Sequence, residues 1–253
     1  MEFKKDRLAI IFLIILLVIG TYLRFTDYDA IGYSSDSLLT VVGGLAWFYP
    51  HSYFPGLIYI SPPLGNMIVG SSCMLSGEDF SGVSKVTPKF TPNIPILVGD
   101  QVKNAEPYCK FPIYLFGTIL LIVLSLLAIS LLNDYTSLYP IAFFTFSSFL
   151  LYWGRFISIN IISFAFIFLG LFFLWRAYDH EKKSKKENQY FLLSFLFLGF
   201  AGAIKLSSGI YPIFAFILLL EKYKDETKLI FKRLLKTIKL KISEKIEVKE
   251  EVD

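Results

Sequence analysis

Asp36 is a carboxylate in a stretch that holds few others. Three cations stand at similar boundaries between apolar and polar sequence: Arg24 in YLRF, Arg155 in WGRF and Lys205 in GAIKLSSG. Such a set can do chemistry, because a carboxylate can take a proton from a hydroxyl while Arg and Lys hold an anion. Each cation alone reads as an interfacial anchor whose aliphatic stem snorkels along apolar surface. Together with Asp36 they read as a site for an anionic ligand. Asp27 and Asp29 form a D-x-D pair that leaves a divalent metal open, while His51 and His180 are too few and too far apart for a metal cluster. There is no phosphate-binding glycine loop and no nucleic-acid motif.

The elements that must position these residues are apolar. The 253 residues are 55% hydrophobic, 17% aromatic and 18% charged, well beyond the balance of a soluble domain. The excess is blocked into residues 8–23, 112–132, 137–153, 156–175, 190–204 and 207–220. A bilayer core takes about 20 apolar residues as helix. The fold class expected is therefore all-α: a polytopic transmembrane helical bundle of about six spans. The start, MEFKKDR and an apolar run, passes into Thr21-Tyr22-Leu23-Arg24 without a small-residue cleavage site, so an uncleaved first helix is expected.

Lysines and arginines set the orientation. They collect at Lys4, Lys5 and Arg7, at Arg176 with Lys182, Lys183, Lys185 and Lys186, and from Lys222 to Lys241. Basic short segments lie on the cytoplasmic side. Placing all three there puts both termini in the cytoplasm and requires an even number of crossings between them. The apolar stretch 56–75, which opens around Ser61-Pro62-Pro63-Leu64-Gly65-Asn66, should then not cross but lie on, or dip into, the outer face. Residues 26–111 become one long, structured outer loop with juxtamembrane helices, one of them over 36–48 capped by Ser34 or Ser35. In that helix Leu38, Leu39, Val42, Leu45 and Trp47 would face lipid or the bundle, and 76–108 reads as an extended surface loop. Cys73 and Cys109 fall in this outer region, where a disulfide and two buried thiols are both open. Residues 1–220 form the membrane domain. The tail 221–253 carries a basic amphipathic helix suited to an anionic cytoplasmic leaflet.

The order of these elements resembles the dolichyl-phosphate-mannose–protein mannosyltransferases and the related aminoarabinose lipid transferases, membrane glycosyltransferases of the GT-C type. The likeness rests on Leu23-Arg24, Asp36-Ser37, the PPLG segment, Lys110 through Gly117, Gly154-Arg155 with Ile159-Asn160, and Gly199 through Lys205, and it spans residues 8–212. It implies transfer of a sugar from a polyprenyl-phosphate donor to an acceptor hydroxyl, on a protein or a lipid, at the outer face of a plasma membrane. Asp36 is then the general base. Arg155, Lys205 and Arg24 hold the donor phosphate, and Pro62, Pro63, Gly65, Asn66 and Asn160 line the cavity. The chain departs from the pattern at Ser37, where the family has Glu, at Ser61 for His, at Asn66 for Lys and at Asn160 for Asp. It also stops where relatives continue for several helices. The alternative is therefore a non-catalytic or split-gene relative, a lipid-phosphate-binding or scaffolding subunit beside a second membrane chain.

Overall fold

The computed structural model describes residues 7–26, 35–45, 47–48, 63–80, 104–153, 155, 157–182, 184–226 and 228. Every regular element among them is helical: α1 Arg7–Phe25, α2 Ser35–Leu45, α3 Pro63–Met74, α4 Glu106–Leu132, α5 Leu138–Phe146, α6 Ser148–Trp153, α7 Ile159–Asp179, α8 Lys185–Ile204 and α9 Ile210–Lys222. Short 3-10 turns at Tyr135–Ser137 and Leu206–Gly209 precede α5 and α9. Among the described residues three helices are long and apolar enough to cross a membrane: α1 over Leu8–Phe25, α4, and α7. The chain divides into two compact units, Met1–Pro212 and Ile213–Asp253. The helix packing and the site lie in the first. The tail helix expected beyond Lys228 falls outside the described residues.

Two expectations are corrected. The run 137–153 is not one helix, because the chain breaks at Ser147 with ψ 114°. The Ser147 N–H still donates to Phe143 O at 2.8 Å, and its hydroxyl accepts from Leu150 N at 3.5 Å. One serine thus closes α5 and caps α6, which is the local competition that makes serine a helix punctuator. The helix expected from residue 112 begins at Glu106 instead, so part of the supposed extended loop is helical. Prolines are the reason for the misreading. Pro107 sits in the first turn, where its missing N–H costs nothing. Pro112 lies inside the helix and cannot donate to the carbonyl of Tyr108, four residues back. The Ser72 hydroxyl of α3 donates to that carbonyl at 2.7 Å.

α3 spans 12 residues, about 18 Å of helix against a hydrocarbon core of about 30 Å, so it cannot cross alone. It is stapled to α4 by a disulfide between Cys73 and Cys109, whose Cα atoms are 4.4 Å apart. Its other neighbour is α2. A Cβ on Gly44 would lie 2.1 Å from Asn66 O, and one on Gly70 would lie 2.3 Å from the Gly44 carbonyl carbon, so the two backbones touch. Small residues allow this approach, which drives helix association where lipid removes the ordinary hydrophobic force. α2 ends at Leu45, short of the expected 48. Val42 and Leu45 are buried, whereas Trp47 lies beyond the helix and is exposed.

The shared core joins Val41, Val42 and Leu45 of α2, Val69 of α3, Ile113 and Leu120 of α4, Ile161 and Ala165 of α7, and Ile204 of α8. Phe80, from the polar stretch after α3, is fully buried in it. α1 shows the opposite surface: Leu8, Phe12, Ile14 and Val18 are all more than half exposed, as a lipid-facing helix requires. Between α4 and α5, Asp134 caps the 3-10 turn by accepting from Thr136 N at 2.9 Å and from the Thr136 hydroxyl. Those bonds hold its carboxyl below the ordinary 3.8.

Candidate functional site

α7 and α8 form an antiparallel hairpin, so the start of α7 meets the end of α8. Ser158 caps α7 by accepting from Asn160 N at 3.2 Å, which fixes Asn160 in the first turn. At the other helix, Lys205 is the first residue past α8. Its N–H still closes on Ala201 O at 2.9 Å while its backbone turns extended. The result is a direct contact: Lys205 Nζ donates to Asn160 Oδ1 at 2.7 Å. Both residues were named from sequence, and they lie 45 positions apart.

This pair opens on a cavity of about 240 Å³ lined by Asn160, Ser163, Phe164, Ile167, Lys205, Ser207, Ser208 and Tyr211. The hydroxyls of Ser163 and Ser208 bond each other at 2.7 Å across the hairpin, both buried. Ile167 is a buried part of the wall and Phe164 a half-exposed one. Sequence reasoning stopped at Lys205 and missed Ser207, Ser208 and Tyr211. The signal was the SSG that follows the lysine, a run of small polar residues at a helix start.

The PPLG segment packs on the neighbours of this pair. A Cβ on Gly65 would lie 2.8 Å from Ile159 Cγ2 and 2.9 Å from Ile204 Cγ2. Only a bare α-carbon fits between the residues that precede Asn160 and Lys205. Asn66, expected in the cavity wall, is instead buried close to Gly43 and Gly44 of α2. Pro62 lies outside the described residues, as does the side chain of Pro63.

Arg24 and Arg155 form a second cluster. Arg24 is 2% exposed; its Nη1 donates to Gly20 O at 2.7 Å and its Nη2 to Phe144 O at 3.2 Å, tying α1 to α5. Its Nε has no hydrogen-bond partner. Arg155, just past α6, donates through Nε to Leu23 O at 3.0 Å and through Nη2 to the same oxygen. Two guanidiniums thus lie at the C-terminal end of α1, where the dipole is negative, on the carbonyls of Gly20, Leu23 and Phe144. Lys110, which opens the Lys110–Gly117 segment named above, is buried and ion-paired with Glu106 of its own helix.

Asp36 stands in the first turn of α2, and its side chain lies outside the described residues, as do Asp27 and Asp29. Among the described residues no three His, Cys, Asp or Glu side chains group closely enough to hold a metal.

A family model described as dolichyl-phosphate-mannose-protein mannosyltransferase matches residues 103–240. That segment contains Arg155, Asn160 and Lys205, and lies beyond Arg24, Asp36 and Gly65. No curated protein and no solved structure matches the chain.

Proposed function

This chain belongs to the dolichyl-phosphate-mannose-protein mannosyltransferase family of membrane glycosyltransferases. From that premise we propose that it moves a sugar from a polyprenyl-phosphate donor to an acceptor hydroxyl at the outer face of the membrane. One observation supports the reading: three segments distant in sequence meet, Gly65 of PPLG packing on Ile159 and Ile204, whose neighbours Asn160 and Lys205 bond each other beside a polar cavity.

In this mechanism the acceptor O–H gives its proton to the Asp36 carboxylate as its oxygen bonds the anomeric carbon. The bond from that carbon to the phosphate oxygen breaks, and its electron pair leaves with the lipid phosphate. The leaving group gains charge as the bond breaks, so a fixed cation stabilises the transition state more than the bound donor. Lys205 supplies that cation at the cavity, while Arg155 and Arg24, expected to share the task, have their guanidiniums on backbone carbonyls at the end of α1. Six crossings with both termini cytoplasmic would put this end of the bundle outside. The Cys73–Cys109 disulfide supports that side, since disulfides persist in oxidising compartments. The second reading, a non-catalytic lipid-phosphate-binding or scaffolding subunit, is favoured by the engagement of both guanidiniums on backbone carbonyls.

The test is transfer of radiolabelled sugar from a polyprenyl-phosphate donor in sealed vesicles of known orientation, for wild type and Asp36→Asn. Turnover on the outer face that falls at least about a hundredfold in Asp36→Asn is expected, the range for loss of a general base. Turnover indifferent to Asp36, or none at all, leaves the subunit reading.

A further inference from the structure

α3 is gripped unevenly along its length. At its C-terminal end Cys73 is bonded to Cys109 of α4, and both cysteines are fully buried. Beside that bond the Ser72 hydroxyl donates to Tyr108 O at 2.7 Å, and Phe80, just after the helix, is fully buried in the core. Toward the N-terminal end stands Gly65, which fits between Ile159 and Ile204 only because it has no side chain. A glycine fills such a gap without gripping it, and its neighbours Leu64 and Ile68 are only part-buried. From Gly65 to Cys73 is about 12 Å of helix, a stiff element that passes a fixed end on to a free one. The isoleucines that Gly65 meets precede Asn160 and Lys205, whose side chains bond at 2.7 Å. A 12-residue helix is too short to be stable alone, so its seat depends on what holds it from outside.

We propose that Cys73 and Cys109 are positioning residues. Their disulfide pins α3, keeps Gly65 between Ile159 and Ile204, and so sets the spacing of Asn160 and Lys205. The mouth of the α7–α8 hairpin thereby answers to redox state. Reduction by a dithiol delivers two electrons and two protons to the sulfurs and breaks the S–S bond. Cys73 and Cys109 are left as thiols, and the dithiol becomes its own disulfide. Because both sulfurs are buried, the reductant reaches them only when α3 parts from α4, so the bond persists once made. Only the effect on turnover rests on the transferase reading.

The test is amide hydrogen exchange, resolved by fragment mass, on the full chain in lipid discs. It compares oxidised wild type, wild type reduced with dithiothreitol until both thiols titrate, and Cys73→Ala/Cys109→Ala. Reduced wild type and the double variant should exchange at least about tenfold faster over 64–70 and over the last turn of α8, 201–205. The central turns of α7 and α8 should stay within about twofold, and reoxidation should restore the wild-type pattern. Unchanged exchange over 64–70 overturns the proposal, because Gly65 then keeps its seat without the bond. Faster exchange over 64–70 that does not reach 201–205 also overturns it, and a uniform loss throughout α7 and α8 reduces the disulfide to a general stabiliser. If the double variant does not fold, reduced wild type decides. Sugar transfer, measured in the same samples, should fall at least about tenfold on reduction and return on reoxidation, the scale of a small misplacement of a catalytic group. No transfer in either redox state counts against the transferase reading and leaves the exchange result standing.

Discussion

Two basic clusters sit near helix ends in this protein, and they use their charges differently. At the end of α1, Arg24 and Arg155 direct their guanidinium donors at the carbonyls of Gly20, Leu23 and Phe144. At the α7–α8 hairpin, Lys205 is held by one amide beside a cavity. A guanidinium suits the first task, because its planar fork can bridge two backbone segments at once. A lysine suits the second, because an ammonium with three rotatable donors can satisfy a neighbour and still face a ligand. The first cluster reads as a bracket and the second as a receptor, although from sequence all three cations had the same assignment.

Arg24→Ala breaks the bracket and should have the largest effect on stability. It orphans Phe144 O and leaves a void in a buried position, for a cost of about 2–4 kcal/mol in reversible unfolding. Lys205→Gln, compared in the same assay, should stay within about 0.5 kcal/mol of wild type, because its partner keeps a hydrogen bond and its site is half-exposed. Equal losses for the two would erase the distinction between bracket and receptor. Gly65→Ala sharpens the contrast at an intermediate scale. Its new methyl group must push Ile159 and Ile204 apart, costing about 1–2 kcal/mol and weakening phosphate binding at the neighbouring pair. The smallest effect belongs to Asp134, remote from both clusters. Its carboxyl is held below 3.8, so its cap stabilises the fold above about that pH and is lost as pH falls through the folded value. Asp134→Asn should leave a slightly shallower acid limb in melting temperature against pH, with no change in ligand binding.

The helical class and three of the six expected spans, α1, α4 and α7, were legible because a bilayer imposes length and hydropathy on any segment that crosses it. Asn160, Lys205 and Gly65 were legible as motif positions, and the structure brings them to one place. What escaped the sequence depended on partners far along the chain. The carbonyls that Arg24 and Arg155 occupy carry no residue-type signature. The break at Ser147 turns on one hydroxyl choosing a backbone N–H, within a run whose hydropathy is continuous. Pro107 and Pro112 pointed to a loop, and only Ser72, from a helix some 36 residues earlier, relieves the carbonyl that Pro112 cannot serve. The pairing of Cys73 with Cys109 likewise needed the approach of α3 to α4.

The glycine contact between α2 and α3 has a mechanical consequence. Backbones that meet at Gly44 and Gly70 leave no compressible side chain between them, so the two short helices shift as one body. Gly65 of that body is seated between the isoleucines that adjoin Asn160 and Lys205. Asp36 stands in the first turn of α2, one of the two helices of that pair. Any tilt of the pair is therefore passed to the isoleucines beside the amide and the ammonium.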